Sequence, residues 1–193
     1  MAKAKPIAKL NAQAPTGVNA RTIARTRLEE MYSWEAYVDN PYRVRELHNL
    51  RISAKRLRYT LEIFQAVLPE AVAPIIKEVE QIQEELGALH DSDVLIALLR
   101  LCLGSQDSGT GYEQALVKAA RRKGKGRFVL NPALVAYLVD PSAAPSSEQR
   151  RGLEQLLLSS ESRREEQYSS FRRHWSQLQA RDFRQEILDL LYA

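Results

Sequence analysis

One segment of the chain, residues 44–64, constrains the fold more than any other. It reads VRELHNLRISAKRLRYTLEIF. Its apolar side chains recur every three or four residues, which is the spacing of one face of an α-helix: Leu47, Leu50, Ala54, Leu57, Leu61 and Phe64. A helix with such a stripe packs against other elements to bury it. The segment therefore predicts a long amphipathic helix whose apolar face belongs to a core.

A second set of side chains in the same helix is cationic and also shares one face. This cationic row consists of His48, Arg51, Lys55 and Arg58, and on a helix its members fall within roughly 80° of arc. Positions 41 to 58 contain six Lys and Arg residues but only one acid, Glu46. Like charges on adjacent helical turns repel by roughly a few tenths of a kcal/mol per pair. We therefore expect the row to meet acids from elsewhere in the fold, or an anionic ligand.

The rest of the chain follows helical spacing too, and the alternation typical of strands is scarce. We predict helices at 18–37, 42–68, 70–103, 112–123, 130–141, 147–179 and 183–192. Long helices with short links pack as an antiparallel bundle, so the predicted fold class is all-α. Residues 1–17 are predicted to be a flexible basic tail, and residues 18–193 a helical domain.

Composition excludes several classes of protein. The chain has 193 residues and a net charge of +4, so its total charge does not demand a polyanionic partner. The single cysteine, Cys102, lies between leucines and has no partner for an internal disulfide, which favours a core thiol over a nucleophile. No segment approaches the roughly 18 apolar residues of a membrane span, and the start of the chain lacks a signal peptide's apolar stretch. We expect a cytoplasmic protein with no membrane partner.

Two motifs in this order resemble the CHAD domain, the conserved histidine α-helical domain. The first is His48-x-x-Arg51-x-x-x-Lys55-Arg56-x-Arg58, and the second is LGALHDSDV at 86–94, with LRY at 57–59 between them. The resemblance is good over residues 18–103 and loose over 112–193. It implies a helical module that binds inorganic polyphosphate, without catalysis, a cofactor or a metal ion of its own. It also implies a location on polyphosphate granules.

The chain departs from the family in one respect. Members usually carry two helical repeats, each with its own basic helix, around a shared positive channel, whereas this sequence has one such helix. Three explanations are open. The basic residues of 118–127 and 163–184 replace the missing face, two chains form a homodimer that completes the channel, or the site is weakened.

Eleven residues are the candidate polyphosphate ligands. They comprise the cationic row, two flanking residues, a row on the first helix and a cluster near 120: His48, Arg51, Lys55 and Arg58; Arg45 and Arg56; Arg21 and Arg25; Lys118, Arg121 and Arg122. Arginine offers forked donors to phosphoryl oxygens and lysine a movable point charge. The alternative is a solvated or internally paired surface, and Glu62 is the nearest candidate partner for Arg58.

Two other groups of residues favour structural roles. His90, Asp91 and Asp93 are metal-ligand types, but near neighbours on a helix point in different directions, so we expect the carboxylates to hold arginines of the second helix. The basic residues of 163–184 are interleaved with Glu165 and Glu166, which favours pairing within that helix.

Enzymatic activity is not indicated. The sequence contains no glycine-rich phosphate loop, nucleophile elbow or H-E-x-x-H motif. The competing hypotheses are a nucleic-acid or general polyanion binder, and an accessory subunit of an enzyme that metabolises phosphate or nucleotides. The nucleic-acid hypothesis shares the basic surface but lacks a groove-reading motif and a row of exposed aromatic residues.

Overall fold

The structure is a computed structural model that describes residues 3–103 and 145–192. All regular structure in these two ranges is helical. The α-helices are α1 (Thr16–Tyr32), α2 (Val44–Ile63), α3 (Val72–Cys102), α4 (Ser147–Ala180) and α5 (Phe183–Tyr192). The prediction of an all-α helical bundle is confirmed. The helices predicted at 112–123 and 130–141 lie outside the described residues.

The ends of the first two helices differ from the predictions. The helix predicted at 18–37 stops at Tyr32, and a separate 3₁₀ turn follows at Glu35–Tyr37. The helix predicted at 42–68 begins at Val44 and stops at Ile63, and another 3₁₀ turn covers Gln65–Val67. In both places the chain stays helical but changes to tighter hydrogen bonding, which apolar periodicity does not distinguish from an α-helix.

The helix α3 is continuous over 31 residues. The sequence predicted it within two residues at its start and one at its end. Gly87 lies within the helix and does not interrupt it. A glycine in a helix interior costs about 1 kcal/mol relative to alanine, so its presence here calls for a reason in its surroundings.

The chain divides into two compact units. The first unit contains residues up to 90 and from 167 onward. It therefore holds α1, α2, most of α3, the last part of α4, and α5. The second unit covers residues 91–166, of which 91–103 and 145–166 are described.

The first unit has one continuous core, to which all five helices contribute. From α1 come Ala20, Ala24, Leu28 and Met31, and from α3 come Ile75, Val79, Ile82, Leu86 and Leu89. The predicted apolar stripe of α2 is buried from Leu47 to Leu61, and Phe64 is partly buried against it. From α4 and α5 come Phe171, Trp175, Leu178, Phe183, Ile187 and Leu191, and Val38, Leu68 and Val72 complete the core.

The segment predicted to be a tail makes hydrogen bonds with α1. The backbone N–H of Asn11 donates to Oδ1 of Asn19 at 3.1 Å, and Nδ2 of Asn19 donates to the carbonyl oxygen of Asn11 at 2.8 Å. The guanidinium of Arg27 donates to the carbonyl oxygen of Lys5 at 3.0 Å. Lys5 and Asn11 are thus held against α1.

In the second unit, the described parts of α3 and α4 are joined by ion pairs. Arg100 bonds to Glu161 at 2.8 Å, and Arg164 pairs with Asp93. The buried apolar side chains of this part are Ile96, Ala97, Leu98 and Leu99. Asp93 thus meets an arginine of α4, and among the ion pairs of α2, Arg56 meets Glu30 and Arg58 meets Glu62 and Glu80.

Cys102, predicted to be a core thiol, is only half-buried at the end of α3. Partial removal from water disfavours the thiolate and raises the pKa of Cys102. This environment opposes a role as a nucleophile. Over residues 3–103 and 145–192, none of the helices combines the length and apolar character needed to cross a membrane.

Candidate functional site

The cationic row lies on a face of α2 that borders its buried stripe, and its side chains contact α3. Lys55 is exposed, and His48, Arg51 and Arg58 are partly buried. The predicted common face of these four side chains follows from the helical geometry of Val44–Ile63.

Contacts at the two ends of the row show that α2 and α3 run antiparallel. At one end the ring of His48 stacks on the ring of His90, with centroids 4.4 Å apart and planes inclined by 26°. At the other end Arg58 bonds to Glu80 at 2.9 Å. Ten residues forward along α2 thus correspond to ten residues back along α3.

Between these ends, Arg51 crosses α3 at Gly87. A β-carbon built on Gly87 would lie 3.3 Å from Arg51 Nε and 3.8 Å from its Nη2. A contact at 3.3 Å is tighter than most real β-carbon contacts. Gly87 therefore leaves room for the guanidinium to lie against the helix, which accounts for a glycine inside α3.

His48 sits in a position that disfavours its charged form. Burial lowers the pKa of His48 to about 4, and the charges of His90 and Arg51 act in the same direction. Its Nδ1 is buried and has no hydrogen-bond partner among the residues that the structure describes. At neutral pH the free protein therefore holds His48 as an uncharged imidazole.

Arg51 also carries an unused donor. Its Nε is buried and lacks a hydrogen-bond partner within the described ranges. A buried donor without a partner costs about 1–3 kcal/mol. His48 and Arg51 are one helical turn apart, so two polar nitrogens without a partner in residues 3–103 and 145–192 lie on the same side of α2.

The opposite end of the row is partly neutralised. Arg58 pairs with Glu80 and also with Glu62, whose Oε1 lies 3.2 Å from its Nε. The pair of Arg58 with Glu62, named above under the alternative of an internally paired surface, is thus present at this end. The cations of Arg58 and Lys55 lie 4.9 and 5.4 Å from the centroid of the Tyr59 ring, within the range of cation–π attraction. This end combines cations, carboxylates and an aromatic ring.

The two predicted flanking residues have different surroundings. Arg56 pairs with Glu30 of α1, and Glu30 also binds Arg27 at 2.7 Å. Glu30 is only 3% exposed, so Arg56 takes part in a largely buried link between α1 and α2. Arg45 is exposed.

The predicted second row, on α1, also has contacts of its own. The guanidinium of Arg25 lies 4.6 Å from the ring centroid of Tyr192, which places it at the contact of α1 with α5. Arg21 has a buried Nε that lacks a hydrogen-bond partner in the described part of the chain. The cluster Lys118, Arg121 and Arg122 lies outside the described residues.

The sequence favoured pairing within the 163–184 helix, but Arg172, His174 and Arg181 pair with acids of other elements. Arg172 pairs with Asp39. His174 is held between two carboxylates of α3, with Nδ1 2.8 Å from Glu85 and Nε2 3.2 Å from Glu78. An imidazolium can donate to both carboxylates, whereas a neutral ring has one donor. The cluster therefore fastens the last part of α4 to α3.

Carboxylates and histidines do not gather into a metal site in the described residues. Over residues 3–103 and 145–192, no group of three or more His, Cys, Asp or Glu side chains could hold a metal ion.

Three members of the site were not among the predicted site residues. Gly87, His90 and Glu80 all belong to α3 and contact the cationic row. Two of them lie in the LGALHDSDV motif. An antiparallel pairing of the two motif-bearing helices would have brought them to α2, but the sequence does not give the register of that pairing.

Comparisons with known proteins connect this site to a family. The model of the CHAD domain matches residues 2–100, slightly more than half of the 193 residues. The matched range includes α1, α2 and most of α3, and so includes every contact of the cationic row described above. No curated protein and no solved structure matches the chain.

Proposed function

Because the chain belongs to the CHAD domain family, we propose that it binds inorganic polyphosphate through the cationic row of α2, without catalysing a reaction. The CHAD domain is associated with phosphate-related binding in general. The choice of polyphosphate rests on the chemistry of the row and its shape.

The observation that carries the proposal is the pair of unsatisfied nitrogens on His48 and Arg51. Both atoms are buried and lack partners among the described residues. Phosphoryl oxygens are strong acceptors, and hydrogen bonds from cationic donors to them are shorter and about twice as strong as neutral ones. A phosphate group that the two side chains turn towards would satisfy both nitrogens and offset the local positive charge.

The shape of the row favours a linear ligand. A helix rises 1.5 Å per residue, so His48 and Arg58 are separated by about 15 Å along α2. Lys55 lies between them and is exposed. A flexible chain with a negative charge on each phosphate can follow these cations from one end to the other.

The absence of catalysis is part of the proposal. General acid–base chemistry on a phosphoanhydride needs a positioned base together with an activated water or nucleophile. At this site His48 stacks on another imidazole, and Arg58 is occupied by two carboxylates. These contacts favour a surface that holds an anion in place.

Calorimetric titration with long-chain polyphosphate tests the proposal. The variant Arg51→Ala/Lys55→Ala should lose most of the binding, because it removes the central cations and breaks no ion pair given above. The matched control is Arg150→Ala/Arg151→Ala, which removes the same charge from exposed positions on α4. An equal loss of polyphosphate binding in both variants would show a general charge effect. Retained binding in Arg51→Ala/Lys55→Ala would show that the binding site lies elsewhere.

Salt and competitor ligands separate the alternatives. Neutralising a polyanion releases counterions, so the affinity should fall as salt rises. An affinity that does not change with salt would contradict an electrostatic site. Double-stranded DNA and ATP should compete weakly at equal charge, and equal binding of DNA would instead indicate a general polyanion surface.

The proposal extends to the setting of the protein. Binding of this kind would place the protein on polyphosphate granules in the cytoplasm. A homodimer that brings two cationic rows together would complete a two-sided channel, and light scattering with and without polyphosphate would show whether the ligand changes the mass of the particle.

A further inference from the structure

The stacked pair His48 and His90 gives the site a property that a row of arginines and lysines would lack. The centroids of the two rings are 4.4 Å apart. Two positive charges at that distance repel each other strongly unless an anion lies between or beside them. Positive charge on both rings at once is therefore favoured only when an anion lies beside them.

We propose that binding of a phosphate chain at the α2–α3 contact takes up a proton on His48, so that the affinity rises as the pH falls. The inference rests on the proposed function of the same site. It adds a regulatory variable, the pH, that polyphosphate binding alone does not require.

The hydrogen-bonding state of His48 supports this coupling. Its Nδ1 is buried and has no partner among the described residues. Both nitrogens of an imidazolium are donors, so protonation in the free protein would leave a cationic donor unsatisfied. A phosphoryl oxygen supplies the missing acceptor and the opposing charge together.

Two described neighbours of His48 oppose its protonation in the free protein. They are His90 from α3 and Arg51 from α2, and their charges add to the effect of burial. Arg58, Lys55 and Arg51 carry three positive charges, which Glu62 and Glu80 partly cancel. Protonation of His48 would therefore raise the net positive charge of the row by a large fraction.

The direction of the pH dependence follows from linkage. The pKa of free His48 is about 4, and a bound anion raises it towards or above the ordinary value of about 6.5. Between those two values the complex binds a proton that the free protein does not. The affinity should be nearly constant above about pH 7 and rise below it by at most about tenfold per pH unit for one proton.

Proton uptake can be measured directly by calorimetry with long-chain polyphosphate. Titrations at pH 7.5, 6.5 and 5.5, each in two buffers of different ionisation enthalpy, give the number of protons taken up per site. We expect close to zero at pH 7.5 and an approach to one at pH 5.5. His48→Gln should still bind but with a flatter pH profile.

A matched variant controls for other titrating groups. His174→Gln removes the histidine that is held between Glu78 and Glu85, and it should keep the wild-type pH profile. The terminal phosphates of the ligand titrate identically with every variant, so only the difference between variants reports on His48. Circular dichroism at each pH verifies that the variants are folded.

NMR titration of the His48 ring provides a second readout that does not depend on a variant. The midpoint should lie below about pH 5 in the free protein and move above about pH 6 with polyphosphate. Binding without proton uptake, or an unchanged His48 midpoint, would overturn this inference and leave the proposed function standing. A protein that does not bind polyphosphate at any pH would refute the proposed function itself.

Discussion

Arg51 of α2 lies against Gly87 of α3 so closely that a β-carbon at position 87 would stand 3.3 Å from Arg51 Nε. The glycine thus fixes how near the guanidinium approaches the helix. Because Arg51 also carries a buried Nε without a partner in the described ranges, this contact sets the position of the donor that we propose binds phosphate.

The variant Gly87→Ala should weaken polyphosphate binding without destabilising the protein. The methyl group would displace the Arg51 guanidinium by a few tenths of an ångström and compete for the space in which it lies. Alanine is better than glycine in a helix by up to about 1 kcal/mol, which offsets the cost of the shift. We expect a several-fold loss of affinity by calorimetry, with an unchanged or slightly higher urea midpoint.

Gly152 of α4 provides the control. A β-carbon there would meet nothing within 4 Å, so Gly152→Ala should stabilise the helix and leave binding unchanged. If both variants bind polyphosphate like the wild type, Arg51 does not hold the ligand from its position at Gly87.

Replacement of Glu80 by glutamine should strengthen polyphosphate binding. Glu80 bonds to Arg58 at 2.9 Å and competes with an anionic ligand for that guanidinium. Its side chain is 44% exposed, so the ion pair contributes only about 0–1 kcal/mol to stability. We expect a two- to five-fold gain in affinity at low salt, roughly 0.4–1 kcal/mol, that shrinks as salt rises.

Glu154→Gln is the matched control for this gain. Glu154 forms an exposed ion pair with Arg150 at 3.2 Å on α4, so its replacement makes the same change in net charge and also breaks a surface pair. An equal gain in both variants would mean that only the total charge matters, and would remove Arg58 from the site.

The common face of the cationic row could be predicted because it depends only on helical spacing within one segment. The apolar stripe from Leu47 to Leu61 was predicted for the same reason, and both lie where expected. The partners of the row could not be predicted in this way. Pairing of His48 with His90, and of Arg58 with Glu80, depends on the register of two helices, which is set by packing of the whole core.

The ion-pair partner of Arg56 could not be predicted from helical spacing either. From sequence it was a flanking candidate beside the row, but it pairs with Glu30 of α1, 26 residues earlier in the chain. Helical periodicity places a side chain on a face and does not identify the acid that faces it. The helix ends at Tyr32 and Ile63 differ from the predictions because 3₁₀ turns continue the apolar spacing beyond them.

The link between α1 and α2 predicts a large effect on stability from Glu30→Gln. Glu30 is 3% exposed and pairs with both Arg27 and Arg56. The amide keeps the shape but leaves two partly buried guanidinium groups without their counter-charge. We expect a loss of about 2–3 kcal/mol in the free energy of unfolding by urea titration, against less than about 0.5 kcal/mol for the exposed Glu154→Gln. Similar losses in the two variants would show that burial does not strengthen the Glu30 pairs.

His48 should also make folding of the ligand-free protein less favourable as the pH falls. The pKa of His48 is about 4 in the folded protein and about 6.5 when unfolded. Between these values the unfolded chain binds a proton that the folded protein excludes, so stability falls as the pH drops from about 6.5 towards 4. The ring is partly exposed, which screens the effect, and we expect the wild type to lose about 1–2 kcal/mol more than His48→Gln between pH 7 and pH 4.5. Urea titrations of both proteins across that range measure the difference, in which the acid sensitivity of other groups cancels. Parallel stability curves would show that the folded protein does not hold His48 uncharged, and would remove the basis for coupling proton uptake to binding.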